Sequence, residues 1–266
     1  MTGRGWTEDM QLAHVLADQA DAISTERFRA QDLVVDTKPD LTPVTDADRA
    51  VEQQLRSSLA RVRTRDAVQG EEFGTTGHGS RRWVVDPIDG TKNFVRGVPV
   101  WATLIALLDG DTPVVGMVSA PALGRRWWAA AGVGAYTGRR LESATRCHVS
   151  GVTALGDASL SYSSLSGWEE RDRLDGFLDL TRSVWRTRAY GDFWSYTMVA
   201  EGAVDVACEP EVSLWDIAAL DVIVREAGGT FTDVDGAPGP AGGSAVASNG
   251  HLHAAVLGAL RAQHGD

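Results

Sequence analysis

Between residues 83 and 94 the chain reads WVVDPIDGTKNF. An apolar run passes directly into two aspartates three positions apart, with a proline between them and a Gly-Thr step after. A buried strand that closes on Asp86 and Asp89 brings two carboxylates together at an electrostatic cost. A fold built on this stretch must therefore supply a compensating positive charge at that strand end. Pro87 fixes the backbone between the acids, which favours a rigid chelating turn. Gly90 and Thr91 expose backbone N–H groups ahead of a helix start, an arrangement suited to a phosphate. Alone, a D-x-x-D turn is equally an ordinary strand end, where Asp is common.

The rest of the chain places this motif within a mixed architecture. Residues 7–29 carry the apolar stripe of an amphipathic helix (Met10, Ala13, Leu16, Ala17, Ala20, Ile23), with Thr7 as its cap. Thr45 opens a second helix with Val51, Leu55, Leu59 and Val62 on one face. Residues 70–82, GEEFGTTGHGSRR, read as a glycine-rich loop. Strands are expected at 83–85, 101–108, 114–119 and 125–130, with AGVGAY as a turn. Beyond residues 138–157, strands at LSYSSL and VDVACE alternate with helices near 169–183, 192–202, 215–227 and from about 250. The first half is thus α+β and the second α/β, giving an α/β fold class overall. The expected subdomains are 1–145 and 146–266.

Three further acidic features stand out, each with an ordinary structural alternative. Glu71 and Glu72 are adjacent on a glycine-flanked loop, where acids are commonly just solvated. Asp216, in SLWDIAAL, is also what a helix N-terminus attracts through its dipole. Asp48 completes the capping box Thr45-Asp46-Ala47-Asp48.

Composition narrows the function. The 266 residues carry a net charge of −11, and no strong basic patch is visible in the sequence, which argues against nucleic acid as a partner. The same acid excess suits either solubility or the collection of metal cations. The longest mainly apolar stretch, 98–108, falls well short of the ~20 residues a membrane span needs. No basic-then-apolar leader opens the chain, so a cytoplasmic protein without membrane association is expected. Cys147 and Cys208 lack metal or redox spacing and read as thiols. His251 and His253 read as surface residues. The only lysines, Lys38 and Lys92, lie in or beside the acidic segments.

Taken together, GEE at 70–72, DPIDGT at 86–91 and WDIAA at 215–219 resemble, in order and spacing, the three signature blocks of the inositol monophosphatase family. TPVTDAD, with Lys38 upstream, resembles a fourth element, and the likeness covers nearly the whole chain. The resemblance implies an αβαβα layered sandwich of the inositol monophosphatase/fructose bisphosphatase type and magnesium-dependent hydrolysis of phosphate monoesters, with two to three Mg2+ per site. By the same resemblance Glu71, Asp86 and the Ile88 carbonyl hold one ion, Asp86, Asp89 and Asp216 a second, and Glu71 supports a third. Glu72 and Thr91 orient the attacking water, and Asp48 and Lys38 belong to the catalytic group. Asp89 and the N–H groups of Gly90 and Thr91 meet the substrate. Family members are commonly homodimers.

The leaving group is to be read from AYGDFWSY, residues 189–196. Gly191-Asp192 with Tyr196 four residues on resembles the histidinol-phosphate phosphatase branch, although Phe193-Trp194 stands where that branch often has Cys-Tyr. Asp192, with the aromatics beside it, suits a cationic, ring-bearing leaving group such as that of L-histidinol phosphate. Glu209, seven residues before Asp216, stands where the resemblance implies that the family places an acid on the leaving group. Asp192 as the cap of the helix it begins is the structural alternative. An inositol-specific or broad small-molecule phosphatase stays open. A bisphosphate nucleotidase and an RNA-associated regulator are disfavoured, the first by the lack of a second phosphate cluster and the second by charge.

Overall fold

The computed structural model describes residues 5–39 and 41–261. Two helices, α1 (Thr7–Arg27) and α2 (Asp46–Val62), are joined through a short antiparallel ribbon, β1 (Val35–Thr37) and β2 (Pro43–Thr45). Thr45 caps α2 as expected: its hydroxyl accepts from the Ala47 and Asp48 N–H groups, and Asp48 returns a bond to the Thr45 N–H. The expected Thr7 cap is not made. The N-cap of α1 is Trp6, whose side chain makes no capping bond.

Then follow β3 (Ala67–Gly70), β4 (Gly74–Thr76), β5 (Arg81–Asp89), the short helix α3 (Thr91–Val95), β6 (Ala102–Asp109), β7 (Thr112–Ala120), β8 (Arg125–Ala130), β9 (Gly134–Gly138) and β10 (Thr145–Arg146). They form one eight-stranded sheet in the order β10-β9-β8-β7-β6-β5-β3-β4. Only the β3–β5 pair in it is parallel. The glycine-rich segment 70–82 is therefore not simply a loop. Gly74–Thr76 folds back as an edge strand on β3, and β5 begins at Arg81.

The second half contributes β11 (Ser159–Ser161), α4 (Ser166–Glu170), α5 (Leu174–Ser183), β12 (Arg186–Arg188), α6 (Asp192–Ala200), β13 (Val206–Glu209), α7 (Leu214–Glu226), β14 (Thr230–Thr232), β15 (Ala245–Ser248) and α8 (His253–Arg261). Its sheet runs β12-β11-β13-β15-β14. The single helix expected at 169–183 is broken at Asp172, which adopts φ 53 between α4 and α5. His253, expected at the surface, is buried, with its ring nitrogens 3.0 Å from Thr232 Oγ1 and 2.9 Å from Ser248 Oγ.

Apolar faces determine the layering. Leu16, Val51, Leu55 and Leu59 of α1 and α2 pack on Trp83, Ile105 and Met117 of the large sheet. The opposite face of that sheet, with Leu104, Val118 and Trp127, packs on α6 and α7 through Phe193, Ile217 and Val222. The small sheet presents Leu160, Val206 and Val246 to Phe177 and Leu180 of α5 and Val256 of α8. The result is an αβαβα sandwich. Helix α7 lies close to the large sheet because Gly116 has no side chain: a Cβ there would sit 2.4 Å from the Ala219 carbonyl oxygen.

Candidate active site

The site begins with a defect in β5. Residues three apart on a regular strand point to opposite faces. Here the register against β6 shifts between Asp86, opposite Leu104, and Asp89, opposite Ala102. The buried Thr103 hydroxyl donates to the Pro87 carbonyl at 2.8 Å and pins the irregularity. The strand thus runs four residues past Val85, and the bulge re-aims both acids into one cleft. Asp216 arrives from the first turn of α7, where its Oδ2 accepts from the Ser213 N–H at 2.7 Å.

One oxygen from each of Asp86, Asp89 and Asp216 lies within 4.8 Å of the others. Asp86 is only 2% exposed, and its Oδ1 has no hydrogen-bond partner. Burial, followed by repulsion from neighbouring carboxylates, pushes Asp86 and Asp89 well above the usual acid range. Burial raises Asp216 to about 7 despite its bond from Ser213. Clustered hard oxygen donors, one of them buried and unpartnered, are the donor set that a divalent cation of the magnesium type requires.

Glu71 lines the same cleft of about 570 Å3. Lys38 lies 2.6 Å from Oε1 of both Glu71 and Glu72. The fully buried Glu52 of α2 accepts from the Glu72 and Phe73 N–H groups at 2.7 and 3.1 Å and fixes the loop from beneath. A Cβ on Gly70 would run into that carboxylate, at 2.1 Å from Oε1. On the cleft wall, the Thr91 hydroxyl lies 3.0 Å from the Ile88 carbonyl and 3.5 Å from Asp48 Oδ1. Burial raises Asp48 to about 6, against the hydrogen bonds from Thr45. Gly90 caps α3 at φ 84, a conformation suited to glycine.

The far wall is also acidic. Asp192 starts α6 but does not cap it. Instead Asp89 Oδ2 accepts from the Phe193 N–H at 2.6 Å. The Asp192 carboxylate accepts from Asn93 Nδ2 at 3.2 Å. The Ser163 hydroxyl accepts from the Asp192 N–H at 3.0 Å and donates to Glu209 Oε1 at 2.5 Å. Burial pushes Glu209 up to about 8. Tyr196 is buried at the same end, and its hydroxyl has no partner.

Against known proteins, the inositol monophosphatase family model matches residues 6–264. The chain belongs to the inositol monophosphatase family. It is 66% identical to a histidinol-phosphatase of Streptomyces coelicolor, covering 97% of this chain and 99% of the relative. It is 61% identical to a histidinol-phosphatase of Mycobacterium tuberculosis, covering 96% and 98%. Among solved structures, an inositol monophosphatase from Zymomonas mobilis superposes with a TM-score of 0.86 at 32% identity, covering 98% of this chain and 100% of that one.

For this member of a metal-dependent family, the structure brings Glu71, Asp86, Ile88, Asp89, Gly90, Thr91, Asp192, Glu209 and Asp216 to one cleft. Lys38, Glu72 and Asp48 stand behind it as a second row joined through Glu71 and Thr91. Sequence reading missed Glu52, Asn93 and Ser163. Asn93 lies inside the quoted DGTKNF stretch, but its amide finds Asp192 only in three dimensions. Glu52 looks like any helix acid, and Ser163 carries no local signal. The sequence also hid a cleft where Arg125, Arg126, Arg139 and Arg140 converge, with Asp18, Asp21 and Glu142 lining it too.

Proposed function

We propose that this protein is a magnesium-dependent phosphate monoester hydrolase whose substrate is L-histidinol phosphate. The observation that carries the choice of substrate is the acidic far wall. Asp192 and Glu209 line the same cleft as Asp86, Asp89 and Asp216. Carboxylates also accept from polyol hydroxyls, and an acid at the Glu209 position is what the family places on the leaving group. The added carboxylate of Asp192 is therefore what favours an ammonium or imidazolium. The high identity to histidinol-phosphatases over nearly the full chain supports the same reading.

Bound magnesium supplies Lewis-acid activation of water and neutralises charge on the phosphate and the leaving oxygen. Glu71, Asp86, the Ile88 carbonyl, Asp89 and Asp216 are the groups to hold it. The Gly90 and Thr91 N–H groups, at the head of α3, hold phosphate oxygens. The Thr91 hydroxyl donates its hydrogen bond to the Ile88 carbonyl or Asp48 Oδ1, leaving a lone pair to accept from the attacking water. Glu72 is Thr91's partner in orienting that water, with Lys38 setting its position. Asp192 and Glu209 orient the cationic end of the substrate. We also read residues 1–145 and 146–266 as two subdomains and the assembly as a homodimer. The latter is supported by Trp185, 67% exposed beside the edge strand β12, and sedimentation tests it.

The test is phosphate release with magnesium from L-histidinol phosphate, inositol 1-phosphate and glycerol 2-phosphate. The expected kcat/KM for histidinol phosphate exceeds the others by at least roughly tenfold, about 1.4 kcal/mol of discrimination. Preference for inositol 1-phosphate overturns the substrate and leaves the phosphatase standing.

A further inference from the structure

Asp192 is held in a conformation that it would not choose. It is a non-glycine residue at φ 49, directly after Gly191 at φ 81. Left-handed backbone disfavours a β-carbon and persists only where the surroundings enforce it. The usual return on an acid at this point, capping its helix, is absent: the N-cap is Gly191 and no side-chain capping bond is made. The strain must be stabilised by something else: Lys92 attracts the carboxylate, and two groups hydrogen-bond the residue.

The first is Asn93, one turn beyond the Gly90-Thr91 step. Its amide nitrogen has two hydrogens and both are used, one on the Val100 carbonyl at 3.0 Å and one on Asp192 Oδ2 at 3.2 Å. The amide therefore ties the phosphate-side loop of the large sheet to the head of α6, across 99 residues of sequence. Contact is close: a Cβ on Gly90 would stand 3.3 Å from Asp192 Oδ2. The second is Ser163. A single hydroxyl accepts from the Asp192 N–H and donates to Glu209, so one atom sets the spacing of the two acids on the leaving-group wall. Neither residue has another side-chain role among the described residues.

We infer that Asn93 and Ser163 are positioning residues for leaving-group selectivity, holding the Asp192 and Glu209 carboxylates at a fixed distance from the Gly90-Thr91 step. The pair acts as a ruler for phosphate esters whose positive charge lies a set distance from the phosphorus. The inference rests on the reading of the substrate as a cationic phosphate ester. Asn93 acts through the carboxylate of Asp192, and Ser163 through the orientation of Glu209. Removing either partner alone should therefore cost nearly as much selectivity as removing both.

The experiment is a pair of double-mutant cycles, Asn93→Ala with Asp192→Asn and Ser163→Ala with Glu209→Gln. Each is read as the ratio of kcat/KM for L-histidinol phosphate to that for glycerol 2-phosphate. Asn93→Ala is expected to lower the ratio roughly tenfold in the native background, with the loss falling on KM, and less than about twofold when Asp192→Asn is already present. Ser163→Ala should behave likewise against Glu209→Gln, and Ser163→Thr should restore most of the ratio. Should Asn93→Ala fail to fold, the Ser163 cycle decides alone. Ratios that multiply independently, or that stay at the native value, overturn the positioning role while the substrate assignment survives. A native enzyme with no preference for histidinol phosphate overturns both.

Discussion

At the scale of single residues, the site is organised by which carboxylate oxygens are already occupied. Asp216 uses one oxygen on the Ser213 N–H and Asp89 uses one on the Phe193 N–H, so each keeps an oxygen for the cleft. Asp86 Oδ1 has no partner at all and is the most exposed to loss when it is altered. Asp86→Asn keeps size but removes the charge at the centre of the cluster and turns one acceptor oxygen into a donor. Turnover with saturating magnesium should fall at least a hundredfold, about 2.7 kcal/mol of transition-state stabilisation. A variant retaining more than a tenth of native turnover would contradict the assignment. Asp192→Asn is the complementary case. It removes one charge without replacing a metal-cluster acid. Because Asp192 also raises Asp89 and Asp216, the readout is the ratio between two substrates, in which that shared effect cancels. A charge-assisted hydrogen bond is worth ~1.5–3 kcal/mol, so the selectivity ratio for histidinol phosphate over glycerol 2-phosphate should drop roughly 10- to 200-fold. Equal losses on both substrates would make Asp192 a purely structural residue.

At the scale of elements, local chemistry was legible wherever a segment carried its own signal. The Thr45–Asp48 box, the apolar stripes of α1 and α2, and β8 at 125–130 appear where sequence pattern places them, except that Val62 at the end of α2 is exposed. The metal-type acids were also legible, because they fall in short blocks whose residue types and order are specific. Most elements of two or three residues were not: β1, β2, β4, β10, β12 and β14 exist through pairing with neighbours and have no room for periodicity. The same holds for the bulge at Asp86–Asp89, which depends on Thr103 from the adjacent strand. Packing between layers was equally invisible. Gly116 reads as a weak point in β7, yet it lets the α7 backbone approach the sheet and so sets where Asp216 arrives. Gly116→Ala would bring a Cβ to 2.4 Å from the Ala219 carbonyl and 2.5 Å from Val222 Cγ1. Overpacking of this kind costs about 1–3 kcal/mol, which a urea midpoint will show. A midpoint at or above native would mean that α7 has slack against the sheet.

At the scale of the whole molecule, the layered fold gathers acids from both sheets into one cleft, and stability must respond to what neutralises them. Without a cation, burial raises Glu209 to about 8 and Asp216 to about 7, from ordinary values of 4.5 and 3.8. The folded chain then keeps protons that the unfolded chain has already released between roughly pH 4 and pH 8. Raised acids contribute stability that is full below the unfolded pKa and lost as pH rises through the folded value. The chelated protein should therefore lose stability from these groups as pH climbs from 5 to 8. His253 works in the opposite direction: burial lowers its pKa, so its contribution declines as pH falls below 6.5. That residue lies on α8, away from the cleft, and its effect cancels in a comparison with and without metal at the same pH. Magnesium competes with protons for the same oxygens, so its binding strengthens as pH rises. At a hundredfold excess over its dissociation constant it adds about 2.7 kcal/mol, which for a chain of this size raises Tm by roughly 5–10 °C. The difference in Tm between magnesium and chelator should accordingly be small at pH 5 and widen steadily to pH 8. Thermal melts at half-unit pH steps measure it directly. A gap that is constant with pH, or that closes as pH rises, would show that protons and metal do not share these carboxylates.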